Sequence, residues 1–211
     1  MSGNTRLFTD VDYERNGRQV GWIYVPHSVT RSAYGNVAIP LAVFKNGSGP
    51  TIFLMSGNHG DEYEGQIVLS KLIRKLDAAS IQGRVIVIPA ANLPAAIAGT
   101  RVSPIDGGNL NRAFPGDPDG TATQQIAYYI DQVIFPMTQF HHDLHSGGSS
   151  LDYVPFVSMR KTRDTDLNTR TLAALRAFGA ENALVWAYSH DVGLAAQAAV
   201  ARGIVALGGE F

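Results

Sequence analysis

The segment Thr51–Gly65, TIFLMSGNHGDEYEG, constrains this 211-residue chain more than any other stretch. Its apolar run Ile52–Met55 is closed by the small polar break Ser56-Gly57-Asn58, the pattern of a buried strand ending in a turn. From Glu64 to Ala79 the apolar residues recur at helical spacing, with Ile67, Leu69, Leu72, Ile73 and Leu76 on or near one stripe. His59 and Glu62 therefore stand where a strand hands over to a helix. In open α/β sheets, ligands bind in the crevice at the carboxyl ends of strands. One imidazole and one carboxylate at His-x-x-Glu spacing supply two of the three protein ligands of a catalytic zinc, and the third must come from elsewhere.

The remaining chain alternates strands and helices. Arg18–Val25 and Asn36–Phe44 read as two strands of a hairpin joined by the polar segment His27–Gly35, and Lys45–Pro50 as a turn before the strand Thr51–Met55. Arg84–Pro89 is a second buried strand, followed by the short segment Leu93–Gly99. Thr100–Gly120 lacks any period and carries glycine and proline throughout, so it is a long loop, and long loops are usually functional. Thr121–Phe135 and Asp164–Phe178 read as helices, the first capped by Thr121 or Thr123 and the second stopped by Gly179. Gln139–Leu144, Asp152–Met159, Asn182–Ala187 and Ile204–Leu207 complete the strands, and Val192–Ala201 the helices. The alternation implies an α/β fold with a mostly parallel sheet covered on both faces.

The third ligand is expected at His145 in FHHDLHSGG, which also closes a strand and opens a glycine-rich turn. Two ligands close in sequence and one remote leave a fourth position for water, as catalytic zinc requires. Asp143 is placed either to orient a neighbouring ligand or to serve the strand alone. His141 and His142, inside the strand, read as packing residues. The long loop carries Arg101, Asn109, Asn111 and Arg112 on backbone expected to be flexible and glycine-bearing; guanidinium forks pair bidentately with carboxylates and stabilise a developing oxyanion. Asp61 and Glu64 flank the ligands and are expected to point away. A general base is sought instead in the terminal GIVALGGEF, where the strand Ile204–Leu207 is expected to break at Gly208-Gly209 and deliver Glu210 to the same edge. A glutamate so near a chain end is equally compatible with a solvated tail.

Composition narrows the partners. A net charge near −1 without basic runs argues against nucleic acid and anionic membranes. The absence of cysteine excludes disulfides and thiolate metal sites. Met1–Asp10 lacks an apolar core for a signal peptide, and no stretch approaches the roughly 20 apolar residues of a membrane span. The expectation is a cytoplasmic protein that acts on a small molecule, with a homo-oligomer left open.

GNHGDEYEG, SPIDGGNLNRAFPG and DLHSGG together resemble the succinylglutamate desuccinylase/aspartoacylase family, which is related to the zinc carboxypeptidases. SAYGNVAIPLAVFKNGSGP and TLAALRAFGAENALV are most similar to its ectoine-degradation branch, the N-acetyl-diaminobutyrate deacetylases. The resemblance implies a three-layer α/β/α fold with a mostly parallel mixed sheet and one Zn2+ held by His59, Glu62 and His145. It further implies Asn111 and Arg112 as the pair that holds the substrate carboxylate, Arg101 as the group that polarises the scissile carbonyl, and Glu210 as general base. Family members continue past this glutamate into a β-rich domain, so residues 1–211 are expected to be a zinc-dependent deacylase catalytic domain truncated at its C-terminal end, with the edge of its last strand exposed. The implied activity is hydrolysis of an N-acyl amino acid. A zinc carboxypeptidase acting on peptides and a catalytically inactive fragment remain open as alternatives.

Overall fold

The computed structural model describes residues 5–30, 32–188 and 193–211. Among these residues, nine strands form one mixed sheet in the order β1-β2-β3-β5-β4-β6-β9-β7-β8. The strands are β1 (Phe8–Thr9), β2 (Gly17–Pro26), β3 (Asn36–Asn46), β4 (Thr51–Ser56), β5 (Gly83–Ile88), β6 (Phe140–His145), β7 (Phe156–Arg160), β8 (Ala183–Trp186) and β9 (Val205–Glu210). β2 and β3 make the expected antiparallel hairpin. The centre, β5-β4-β6-β9, is parallel. Antiparallel pairs join that centre to the hairpin on one side and to the parallel pair β7-β8 on the other.

Strand alternation sorts the central side chains into two layers. Phe53, Met55, Ile86, Ile88 and Ala206 face a core closed by α3 (Ala122–Tyr129) and α5 (Ala195–Ala201). Phe44, Val87 and Leu144 face α1 (Tyr63–Lys75), whose Leu69, Leu72 and Ile73 complete the opposite core. α4 (Thr165–Phe178) packs through Leu175 on Val157, Met159 and Leu207. Each fully buried Phe or Leu contributes about 1.5–3 kcal/mol, so both layers hold the sheet. This is the three-layer α/β/α arrangement. His141 stacks on Phe53 at 4.9 Å between ring centroids, and His142 packs edge-on against Phe178, so both are interior packing residues.

Several boundaries differ from the sequence expectation. The helix beginning near Glu64 stops at Lys75, because Leu76 turns extended and Asp77 caps a separate 3-10 turn, accepting from Ala79 N at 3.0 Å. Ile67 does not join the buried stripe but lies exposed. Leu93–Gly99 is a short helix, α2 (Leu93–Ala98), ended by Gly99 in the left-handed region. Thr121 does cap α3, in a reciprocal box with Gln124, but the expected helix to Phe135 continues as a π turn over Ile130–Ile134 and a 3-10 turn over Phe135–Met137. β7 begins at Phe156 rather than Asp152. Val192 lies outside the described residues, and α5 begins at Ala195.

The last strand corrects two expectations. β9 does not break at Gly208-Gly209: it pairs with β6 through His145↔Glu210 and with β7 through Phe156↔Glu210, so ladders on both sides hold the glycines extended. For the same reason it is no exposed edge. The edges are β1 and β8, and all four residues of β8 are exposed.

Candidate metal centre and active-site cleft

The register of the parallel strands assembles the site. Ser56 ends β4 opposite Leu144, and His145 ends β6 opposite Glu210, so three chain segments leave the sheet at one edge. Beyond β4 the chain turns at Gly57, whose φ of 70° is left-handed, and Asn58–Glu62 cross that edge before α1 begins. Gly65 then lets α1 approach: a Cβ there would stand 2.9 Å from the Cβ atoms of both Leu144 and Ser56. Glu62, immediately before α1, is thereby held beside the end of β6.

One donor atom each from His59, Glu62 and His145 falls within 4.8 Å of the other two. Both histidines present Nδ1 to the Glu62 carboxylate, His59 to Oε1 at 2.6 Å and His145 to Oε2 at 2.7 Å. Their Nε2 atoms turn outward, His59 to Asn109 Oδ1 at 3.2 Å and His145 to Asp143 Oδ2 at 2.9 Å. Amide and carboxylate oxygens only accept, so each Nε2 carries a hydrogen, and unless Nδ1 is protonated as well each ring aims a lone pair at a carboxylate oxygen that also bears lone pairs. Acceptors facing each other at such distances need a proton or a cation between them. Two imidazole nitrogens and a carboxylate are a donor set suited to a divalent transition metal. The residues present therefore fit a metal ion.

The surroundings reinforce the donors. Burial raises Glu62, but hydrogen bonds from His145 and His59 outweigh it and hold the carboxyl at about 2. Burial likewise raises Asp143, and the His145 charge and hydrogen bond outweigh it, keeping it below its ordinary value. Asn58, fully buried, donates Nδ2 to Asp143 Oδ2 at 2.7 Å. Asp61 does point away, accepting from Ser149 Oγ at 3.3 Å and so bracing the turn after β6, while Glu64 is exposed.

The long loop is pinned rather than flexible. Gly60 N donates to Thr100 O at 2.9 Å, Leu110 is fully buried, and Phe114 stacks on Phe135 at 6.2 Å. Asp106 accepts from Thr123 N, Thr123 Oγ1 and Gly108 N at 2.7, 2.8 and 3.0 Å. So anchored, the loop brings Arg101, Asn111 and Arg112 to the same cleft of about 320 Å³ as His59, Glu62, His145 and Glu210. Arg101 donates to Glu62 Oε1 at 3.2 Å. Asn111 accepts from Ala195 N at 3.1 Å, which turns its Nδ2 toward His145 Nε2 at 3.4 Å. The Arg112 guanidinium donates to Asn111 O at 2.6 Å, and Arg112 lines the cleft.

Glu210 is not a solvated tail. It is the last residue of β9, and its Oε2 is buried with no hydrogen-bond partner among the described residues. Burial, with the nearby Glu62 and Asp143 charges, raises it to about 7 against the opposing pull of His145 and Arg101. Tyr153, Arg160 and Trp186 form the far wall, with Arg160 over the Trp186 ring at 5.8 Å. Sequence reasoning missed that wall and Asn58, since nothing local in the sequence marks a residue whose partner lies across the sheet.

The profile of the succinylglutamate desuccinylase/aspartoacylase catalytic domain matches residues 48–211. An N-alpha-acetyl-L-2,4-diaminobutyric acid deacetylase from Halomonas elongata is 50% identical over 175 residues, covering 83% of this chain and 51% of that protein. The crystal structure of a succinylglutamate desuccinylase/aspartoacylase from Rhodobacter sphaeroides superposes with a TM-score of 0.92 at 47% identity, over 98% of this chain and 61% of that one. The product-bound ectoine utilization protein EutE (DoeB) from Ruegeria pomeroyi gives 0.94 at 41%, over 99% and 64%. This chain thus spans about half to two-thirds of the length of these relatives. It belongs to the succinylglutamate desuccinylase/aspartoacylase family.

Proposed function

We propose that this chain is a zinc-dependent amidohydrolase that releases the acyl group from an N-acyl amino acid. The preferred substrate is an N-acetylated diaminobutyrate, the compound in the name of the Halomonas enzyme. The observation that carries the proposal is the convergence of His59 Nδ1, His145 Nδ1 and the Glu62 carboxylate in one cleft with Glu210, whose Oε2 is buried without a hydrogen-bond partner among the described residues.

A zinc ion held by His59, Glu62 and His145 would acidify water and polarise a carbonyl oxygen. Glu210, poised near neutrality, takes the proton from the attacking water and passes it to the leaving amine nitrogen. Arg101 offers its guanidinium to the oxygen that gains negative charge as the carbonyl becomes tetrahedral. Arg112 grips the substrate carboxylate with its planar fork while Asn111, fixed by Ala195, adds an amide hydrogen bond. Asp143 holds His145 in the tautomer that keeps Nδ1 toward the metal.

The test is a hydrolysis screen with zinc-loaded protein against N-acetyl, N-succinyl and N-formyl amino acids and blocked dipeptides. It should use both this chain and a version extended to the relatives' length. Turnover of acyl amino acids that is lost on chelation supports the proposal. Full activity in metal-free protein refutes it, and cleavage of dipeptides alone would indicate a carboxypeptidase.

A further inference from the structure

The outer face of α1 does not behave like the solvent face of an amphipathic helix. Leu69, Leu72 and Ile73 pack on the sheet, so the opposite side should be polar throughout. Instead Ile67 and Val68 are 51% and 52% exposed at its middle, and Tyr63 is 45% exposed at its start. The neighbouring α2 adds Ile97, 79% exposed, two residues before Gly99, whose Cβ position would lie 3.0 Å from the Tyr63 hydroxyl. Contiguous exposed apolar residues rimmed by charge mark interaction surfaces.

The charges on this face identify the partner. With about 100° between successive residues, Glu64 and Lys71 fall on one line down the helix, and Ile67 and Val68 flank that line midway between them. Both charged residues are exposed. Glu64 lies about 5 Å along the axis on one side of the Ile67/Val68 midpoint, and Lys71 about 5 Å on the other. A face with an apolar centre, an acid on one side and a base at equal distance on the other is complementary to itself when turned end over end.

We propose that this face is where two copies of the chain meet, with α1 antiparallel to α1 across a twofold axis between Ile67 and Val68. Glu64 then faces the partner's Lys71, and Lys71 faces the partner's Glu64. The apolar pairs close around the axis, Tyr63 and Ile97 widen the contact, and the opposed helix dipoles favour the same orientation. One helix pair with this flank is a small interface, so the dimer dissociates in roughly the micromolar range.

Sedimentation equilibrium from about 1 to 200 µM on wild type, Glu64→Lys, Lys71→Glu and the doubly reversed chain tests this. Both residues are exposed, so the variants should keep the wild-type circular dichroism. The wild type should be a reversible dimer. Each single reversal places two like-charge pairs in the contact and should weaken it by about tenfold or more. The double reversal recreates both pairs and should restore the wild-type constant to within about threefold. A monomer at every concentration, single reversals without effect, or a double reversal no tighter than the singles would each overturn the proposal. Because the chain has no cysteine, Val68→Cys supplies the sole thiol beside the axis. Oxidation should link it into a disulfide dimer, and failure to link would also overturn the arrangement.

Discussion

Asp143 is buried beneath the cleft, yet under the proposed function it would decide how well His145 serves as a ligand. Its carboxylate accepts from His145 Nε2 at 2.9 Å and from Asn58 Nδ2 at 2.7 Å, so Asp143→Ala removes one of the two holds on the ring and leaves a buried amide unpaired. Partners of this kind contribute about 10–100-fold to metal affinity. Competition with a chromogenic chelator should show a loss of that size, and an unchanged zinc affinity would remove Asp143 from this role. Glu210→Gln should instead leave the bound zinc untouched and lower kcat by about 10²–10⁴-fold. Metal analysis and steady-state kinetics on the same preparation separate the two behaviours. If Arg112 holds the substrate carboxylate as proposed, Arg112→Ala should chiefly raise KM. His59, Glu62 and His145 were legible as candidates in the sequence because each sits where an apolar run gives way to small polar residues. Asn58 was not, because its amide matters only through a carboxylate 85 positions away.

At the scale of elements, what the sequence displayed was periodicity, and what it concealed was anything set by a neighbour. The interior strands and the helices showed through their apolar repeats. β1 has only two residues, too few to repeat, and exists because Phe8 and Thr9 pair with Tyr24 and Ile23. Gly208 and Gly209 looked like a break and are a strand, since β6 and β7 hold them from both sides. The 100–120 loop looked mobile and is tied at Asp106. Its carboxyl is partly buried, which raises it, but hydrogen bonds from Thr123 and Gly108 win and hold it below its ordinary 3.8. A depressed folded-state pKa contributes stability above the unfolded value and loses it as pH falls through the folded one. Asp106→Asn should therefore cost about 1 kcal/mol at neutral pH, a modest figure because the group is partly solvated. That deficit should shrink below pH 3.8 as the wild-type carboxyl protonates. Urea titrations at the two pH values measure it, and a pH-independent deficit would place the anchor elsewhere. Gly65→Ala tests the α1 seat. Its new Cβ would press on Leu144 and Ser56, so α1 must shift, at a cost of about 1–3 kcal/mol by urea denaturation.

At the scale of the whole molecule, the proposed metal site would clasp two segments that only the folded sheet brings together. Glu62 and His145 are separated by 82 residues and meet because β4 and β6 pair in register up to Ser56↔Leu144. The unfolded chain cannot present these donors together, so an ion that binds the folded state stabilises it by mass action. That amounts to about 2.7 kcal/mol at one hundred times Kd and about 4.1 at one thousand times. For a chain of this size, each kcal/mol shifts Tm by about 2–4 °C, so a hundredfold excess of zinc should raise it by about 5–10 °C. Glu62→Gln keeps the shape of the side chain but removes its charge, and should abolish the rise. Calcium should produce almost none of the shift in wild type, because it takes oxygen ligands and two of the three donors here are imidazole nitrogens. Calorimetric scans with zinc, with calcium and with a chelator decide between this clasp and its alternative. If wild type and Glu62→Gln respond to zinc equally, the three donors form an internal hydrogen-bonded cluster and the metal acts elsewhere.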